Sequence, residues 1–323
     1  MHYRNLGSSN LKVSRLWLGG MSFGDPAMRA WVCDAPTSRR IISRALDLGI
    51  NTIDTCDAYC KGVSEEIIGD RVHELGVRDR LVIATKLGLP LGPDVGPNGS
   101  GFSRKHIILA CEASLKRLKT DYIDLYQTHI WQPATNIDEM VEAFDRLVRD
   151  GKILYAGATD MPAWQMAKSV YTARHAGRAA FVSMQNHYNA LWREDERELI
   201  PFCRAEGLGL VPYSPLGRGF LCGGGKTLRR EKDEMITRFY PRREDAAVAA
   251  AVEAHARKTG VAPASVALWW VLSTPGVTAT VVGASSVEQL EQVVGYAEKP
   301  LERSEMKEID VAYAFRPSKG HGG

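Results

Sequence analysis

Short apolar runs rich in β-branched residues alternate along the chain with segments whose apolar positions recur every three or four residues. Runs of the first kind fit buried parallel strands and lie at 15–19 (RLWLG), 51–55 (NTIDT), 81–86 (LVIATK) and 122–129 (YIDLYQTH). Four more follow at 153–159 (ILYAGAT), 180–185 (AFVSMQ), 208–214 (LGLVPYS) and 278–284 (TATVVGA). Segments of the second kind predict helices over 37–48, 64–75, 103–118, 162–175, 193–206, 244–259, 263–273, 286–296 and 303–314. A further helix is predicted to begin at Thr135 and stop at Gly151, and Ser103 is placed to cap the helix that follows it.

Eight such strands alternating with helices predict a parallel sheet covered on its outer face, and eight is a number that closes into a (β/α)8 TIM barrel. An open doubly wound sheet would usually carry G-x-G-x-x-G after its first strand. Here LGGMSFG follows that strand, and its glycines do not keep the spacing. The 323 residues therefore read as one barrel domain, 1–323. Three stretches interrupt the alternation. Residues 2–14 hold a Gly-Ser-Ser-Asn turn between short alternating runs and predict an N-terminal β-hairpin cap. Residues 87–102, rich in glycine and proline, and residues 215–243, glycine-rich and then basic, predict long loops.

Composition narrows the function. The 41 Lys and Arg against 38 Asp and Glu leave +3, too little charge to predict a nucleic-acid or membrane surface. The basic stretch at 229–232 has no interleaved aromatics and reads as a solvated face. The N-terminus has charges throughout and no secretory apolar block, and the run at 266–272 is far short of the ~20 residues that span a bilayer. Six scattered cysteines read as reduced thiols of a cytoplasmic protein. Cys56 and Cys60 lack a second pair to complete a metal site and read as structural thiols; no metal is expected.

Polar residues close nearly every strand run: Asp54, Lys86, His129, Thr159 with Asp160, Gln185, Tyr213 and Ser285. In a parallel barrel these ends share the face that carries the active site. Tyr59, five residues after Asp54, adds a phenol whose ordinary pKa of ~10 makes it a weak acid. A lysine held against it favours the phenolate, an aspartate fixes the lysine, and a neutral histidine can orient a carbonyl oxygen. These four residues suit protonation of an oxyanion as hydride reaches carbon. They supply no hydride, so a cofactor is expected.

The segments IDTCDAYC, LVIATKL, DLYQTHIW, AGATDMPAW, SMQNHYN, VPYSPLGRGFL and VVGASSVEQL resemble, in order and spacing, motifs of the aldo-keto reductases. The opening YRNLGSSNLKVSRLWLGGMSFG resembles the branch with aryl-alcohol dehydrogenase-like and potassium-channel β-subunit-like members. The likeness spans about residues 3–300. It implies a catalytic tetrad of Asp54, Tyr59, Lys86 and His129, with Tyr59 the general acid. It further implies nicotinamide binding by Thr159, Asp160 and Gln185, and stacking of that ring on Tyr213. Ser214, Leu216, Gly217, Gly219 and Gly283 would make further cofactor contacts, with Ser285 and Gln289 near the adenosine 2′-phosphate.

The resemblance thus implies reversible reduction of a small-molecule aldehyde or ketone, with NADP(H) preferred and NAD(H) the alternative. Two departures stand out. Thr159-Asp160 replaces a frequent Ser-Asn, and an ionised Asp160 cannot donate to the carboxamide oxygen. The basic residues common beside the 2′-phosphate are replaced by Ala284, Ser285 and Gln289, leaving Arg218, Lys226, Arg229 or Arg230 to supply the charge. Met21 and Trp131 are candidate pocket walls, His187 and Tyr188 belong to the site or to packing, and Trp269 and Trp270 are core. Two rivals stay open: a nicotinamide-binding regulatory subunit with slow turnover, and a metal-assisted hydrolase built on Asp54, Asp57 and His129, which lacks convergent ligand spacing.

Overall fold

A computed structural model describes residues 1–223, 235–297 and 300–315. Its strands are β1 (Tyr3–Asn5), β2 (Lys12–Ser14), β3 (Leu16–Gly19), β4 (Thr52–Asp54), β5 (Val82–Leu87), β6 (Ile123–Thr128), β7 (Ile153–Thr159), β8 (Phe181–Gln185), β9 (Gly209–Leu210) and β10 (Thr280–Val282). Its helices are α1 (Ala35–Asp47), α2 (Val63–Leu75), α3 (Arg104–Leu118), α4 (Ile137–Arg149), α5 (Ala163–His175), α6 (Leu199–Ala205), α7 (Met235–Phe239), α8 (Arg243–Thr259), α9 (Pro263–Leu272), α10 (Val287–Ala297) and α11 (Lys307–Ala312).

The eight expected barrel strands all form and lie in the order β10-β3-β4-β5-β6-β7-β8-β9, parallel throughout. The seam between β9 and β10 is closed by sparser pairing. The Thr278 N–H donates to the Leu210 carbonyl at 2.8 Å, the Val281 N–H donates to the Pro212 carbonyl at 2.9 Å, and Tyr213 bridges Val281. The result is a (β/α)8 barrel. The strand expected over 208–214 keeps only two ladder residues, because Pro212 has no N–H to give.

Two apolar layers hold the barrel. Inside it, Trp17, Val82, Ala84, Leu125, Val211, Ala279 and Val281 fill the N-terminal half. The predicted hairpin, β1 paired antiparallel with β2, sends buried Leu6 and Val13 into this layer as a plug. Gly7 lets the plug seat: its φ is +58°, and a Cβ there would lie 2.5 Å from the Gly207 carbonyl oxygen. The larger outer layer packs the strands' other faces against the helices. With its lower half filled by hydrocarbon, the barrel has room for inward polar groups only near its C-terminal mouth.

Helix starts follow local chemistry. Asp34 accepts from the Thr37 N–H ahead of α1, and Ser103 accepts from the His106 N–H ahead of α3, as its sequence predicted. The cap of α4 is Asn136 rather than Thr135: its side-chain Oδ1 accepts from both the Asp138 and Glu139 N–H groups. The helix expected over 193–206 is a 3-10 turn at Glu194–Glu196 followed by α6, and the one over 303–314 is likewise a turn at Arg303–Met306 followed by α11. All six cysteines are free thiols. Among the described residues no helix is long and apolar enough to cross a membrane.

Candidate active site

The residues expected to do chemistry converge at the barrel mouth. Asp54 ends β4 and Lys86 lies in β5, both facing inward above the apolar plug and both almost inaccessible. Lys86 Nζ lies 2.6 Å from Asp54 Oδ2 and donates to the Thr55 carbonyl at 2.8 Å. The other carboxylate oxygen of Asp54 accepts from Gln185 Nε2 at 2.8 Å and Gln127 Nε2 at 3.3 Å. A charge here would be costly alone. Three donors to Asp54, one of them Lys86 itself, and the Thr55 carbonyl as a second acceptor for Lys86 make the pair tenable.

The turn after β4 carries Tyr59 over this pair, with Lys86 Nζ 5.3 Å from the centre of its ring. Within that turn Cys60 and Lys61 have φ of +47° and +53°, and Gly62 at +95° starts α2. Backbone pins set the turn's place: the Thr55 N–H donates to the Ala84 carbonyl at 2.8 Å and the Asp57 N–H to the Lys86 carbonyl at 3.1 Å. His129, just past β6, sets its ring edge-to-face against Tyr59, centres 6.0 Å apart. The structure thus brings all four tetrad residues together.

Electrostatics assigns their charge states. Burial is the largest single effect and works against the Lys86 ammonium, but Asp54, Tyr59 and Cys56 together outweigh it and the lysine is held above its ordinary value. His129 is pushed down to about 3, first by burial and then by the Lys86 charge, so its ring is neutral at physiological pH. The sequence predicted that Lys86 would lower the Tyr59 phenol. Lys86 does pull it down, but burial is the larger effect and the net shift is upward. The phenol is therefore held in its protonated, donating form until charge builds beside it.

The neighbouring strand ends form a second group. Thr159 and Gln185 pair in register, and the Asp160 N–H donates to the Gln185 carbonyl at 3.0 Å. Thr159 Oγ1 is buried with no hydrogen-bond partner, an orphan that a ligand amide would satisfy. Asp160, with φ +46°, accepts from the Tyr213 hydroxyl at 2.9 Å. Burial pushes Asp160 up to about 6, so a protonated, donating form is within reach of near-neutral pH. One face of Tyr213 stacks on His187, centres 5.3 Å apart and planes 13° apart, while the residue stays partly open. Trp192 stacks on the other side of His187, and the Tyr240 hydroxyl lies 2.7 Å from its Nε2. His187 thus backs Tyr213, whereas Tyr188 is wholly core, packed on Trp270.

Past Tyr213 the chain takes left-handed φ values at Ser214 (+56°), Gly217 (+56°), Arg218 (+54°) and Gly219 (+94°). Of the six described non-glycine residues with positive φ, only Lys119 lies away from this mouth, a concentration expected of a ligand-binding rim. The space where a Cβ of Gly219 would stand is open, and Leu216 carries the turn's start. Arg218 sits over the Phe239 ring at 5.3 Å. Exposed Gly283 follows β10, and beyond it the Ser285 N–H and hydroxyl both donate to Gln289 Oε1, at 2.9 and 2.7 Å. Lys226, Arg229 and Arg230 lie outside the described residues. Met21 sits on the turn after β3, partly exposed, and Trp131 packs against the outer core with its indole N–H buried and unpartnered. No group of His, Cys, Asp and Glu able to hold a metal occurs among the described residues.

Sequence reasoning missed two members. Gln127 helps hold Asp54 from the next strand but one. Cys56, read as a structural thiol, places its sulfur 3.2 Å from His129 Nδ1 and 3.3 Å from Asp57 Oδ1. The chemistry of DTCDAYC contains the donor; nothing in the sequence says that it meets a residue 73 positions on.

A model of the aldo/keto reductase family matches residues 15–314. The whole chain aligns with 99% of versiconal hemiacetal acetate reductase from Aspergillus parasiticus at 36% identity. It is also 36% identical to a putative aryl-alcohol dehydrogenase of Schizosaccharomyces pombe, over 98% of this chain and 97% of the other. Norsolorinic acid reductase B of Dothistroma septosporum matches at 35% identity, over 98% of this chain and 82% of that protein. A parallel eight-stranded barrel, a family match over nearly its whole length and full-length relatives lead to one conclusion: the chain belongs to the aldo/keto reductase family, oxidoreductases that act on carbonyl compounds.

Proposed function

We propose that this single-domain protein reduces an aldehyde or ketone to the alcohol, reversibly, with NADP(H) preferred over NAD(H). The observation that carries the reading is the Asp54–Lys86 ion pair buried beneath Tyr59 and flanked by a neutral His129. A bound reduced nicotinamide supplies the hydride. Thr159 Oγ1, Asp160 and Gln185 fit its carboxamide, Tyr213 offers a ring face, and the turn at Ser214, Leu216, Gly217 and Gly219 lets phosphate oxygens approach the backbone closely, with open space where a Cβ of Gly219 would stand. Gly283, Ser285 and Gln289 stand on the β10 side for the adenosine end.

His129 holds the substrate oxygen through a neutral ring N–H and so orients the carbonyl without protonating it prematurely. Tyr59 gives its proton as negative charge develops on that oxygen. Lys86 then faces a phenolate instead of a phenol, an interaction strongest in the transition state. Asp54 keeps Lys86 charged and in place, and solvent returns the proton to Tyr59. In the oxidative direction the same groups act in reverse. Names among the relatives refer to versiconal hemiacetal acetate, norsolorinic acid and aryl alcohols. With Trp131 and Met21 as candidate walls, an aromatic carbonyl is the substrate class we favour.

The test follows loss of reduced-nicotinamide absorbance with NADPH and NADH separately against aromatic, aliphatic and sugar carbonyls. Tyr59→Phe should lower turnover by about 100-fold or more and leave cofactor affinity unchanged. A folded Tyr59→Phe protein that no longer binds cofactor would overturn this division of roles. Tight cofactor binding with no turnover on any carbonyl would favour a regulatory subunit.

A further inference from the structure

We propose that Cys56 is a positioning residue whose thiol bridges Asp57 and His129 and sets which tautomer His129 presents to substrate. The consequence for catalysis rests on the reductase reading; the tautomer does not.

Cys56 is wholly buried, with its sulfur 3.2 Å from His129 Nδ1 and 3.3 Å from Asp57 Oδ1. Nδ1 is thereby engaged, which leaves Nε2 for a bound oxygen. A thiol has one proton and here two acceptors. When Asp57 is ionised, its carboxylate takes the S–H. The ring must then carry its own proton on Nδ1 to reach sulfur, and Nε2 is a bare acceptor, suited to an alcohol O–H. When Asp57 is protonated, its O–H turns to sulfur, the S–H turns to Nδ1, and Nε2–H becomes a donor, suited to a carbonyl. The passage between the two takes up one proton. It enters at Nε2 while Nδ1–H passes to sulfur and S–H passes to Asp57, and the ring ends neutral.

The charged groups around this chain leave Asp57 as its variable member. Burial and Glu65 on α2 push Asp57 up to about 7, opposed by the hydrogen bond from the Cys56 thiol and by Arg117 on α3. Glu65 itself is tied to Arg117 at 2.6 Å and accepts from Thr85 on β5. Burial and then Asp57 raise the Cys56 thiol well above its usual value, against Lys86 on β5, so the thiol stays protonated. The buried Tyr126 phenol on β6 also stays neutral. His129 is neutral down to about 3. Near neutrality only Asp57 changes.

The experiment records 15N shifts of the His129 ring in the full-length, cofactor-free protein from about pH 5.5 to about pH 8.5. The His129 signals are those missing from His129→Gln. The ring proton should move from Nε2 to Nδ1 as pH rises through about 7, with no charged ring at any point. Cys56→Ala and Asp57→Asn should each abolish the pH dependence, and Cys56→Ser should restore it. Cys56→Ala should also lower kcat/KM for carbonyl reduction about fivefold, the worth of one hydrogen bond, with cofactor Kd unchanged and rescue by Cys56→Ser. A His129 tautomer that ignores pH in the natural protein, or that is unchanged by both Cys56→Ala and Asp57→Asn, overturns the proposal. If the shifts behave as expected but no carbonyl is reduced, the reductase reading fails while the relay stands.

Discussion

Replacing Lys86 by methionine tests whether the buried ion pair is the hinge of both stability and catalysis. Methionine keeps the unbranched stem in its slot and removes only the ammonium. The loss is two hydrogen bonds, to Asp54 Oδ2 at 2.6 Å and to the Thr55 carbonyl at 2.8 Å, and the one cation that the described residues place against Asp54. Asp54 keeps its two amide donors, Gln185 and Gln127, but is left as an uncompensated charge that is 2% exposed. Removing one partner of such a pair costs about 3–5 kcal/mol. For a chain of this size each kcal/mol lowers Tm by about 1.5 °C, so Lys86→Met should melt about 4–8 °C early. Asp54→Asn in the same protein removes the stranded charge. The double variant should therefore be about 2–3 kcal/mol more stable than the sum of the two single losses predicts. Thermal unfolding by circular dichroism of the cofactor-free proteins at pH 7 measures all four corners of the cycle. A Tm drop below about 3 °C for Lys86→Met, or a cycle additive within about 0.5 kcal/mol, would refute the reasoning.

His129 is held near 3 in the folded chain and titrates near its ordinary ~6.5 when unfolded, so its contribution to stability is present above ~6.5 and lost as pH falls toward 3. His129→Gln removes that term: its stability relative to the natural protein should improve by about 2 kcal/mol between pH 6.5 and pH 5, read by urea unfolding at each pH, and a flat difference would disprove it. Comparison with the variant is essential because Asp57, raised to about 7, works in the opposite sense, stabilising below ~3.9 and losing that contribution as pH rises through 7. Thr159→Val removes a buried hydroxyl that has no partner. It should leave the cofactor-free Tm unchanged or slightly higher while weakening cofactor binding by about five- to tenfold in fluorescence titration; unaltered affinity would place the carboxamide elsewhere. Gly7→Ala sets a Cβ 2.5 Å from the Gly207 carbonyl oxygen and 2.6 Å from the Gly209 nitrogen at φ +58°. Tm should fall by several degrees with kcat of the remaining folded protein intact, and an unchanged Tm would count against the plug.

The barrel was legible because each strand is a compact β-branched run and each strand end carries a residue that only a shared polar face explains. Asp54, Lys86 and His129 could be chosen before any geometry was known, since three chargeable groups at consecutive buried strand ends require one another. What the sequence could not convey was depth. It names Lys86 as the neighbour of Tyr59 but not how far burial would outweigh that neighbour, so the sign of the phenol's shift came out reversed. It offers Thr135 and Asn136 side by side, and the cap went to the residue whose side-chain amide oxygen accepts twice. The run through Pro212 looked like a full strand because apolar pattern does not register a missing donor. Cys56 escaped notice because a buried thiol used for packing and one used for hydrogen bonding leave the same mark in a sequence.

The hairpin end of the barrel bears on how the protein is made. Arg15 reaches across the chain to donate to the carbonyls of Val277 and Thr278 at 2.8 and 2.9 Å and to that of Leu272, and the Thr280 N–H returns a bond to the Arg15 carbonyl. The three carbonyls lie 257 to 263 positions further along. At ordinary synthesis rates of about 5–20 residues per second, β3 waits roughly 13–53 s on the ribosome before its second edge exists. Through that interval Leu16, Trp17 and Leu18, all inaccessible in the finished barrel, have no closed interior to enter. Moving the chain's ends to another loop by circular permutation would only hand the wait to a different strand, because a closed barrel always pairs its first strand with its last.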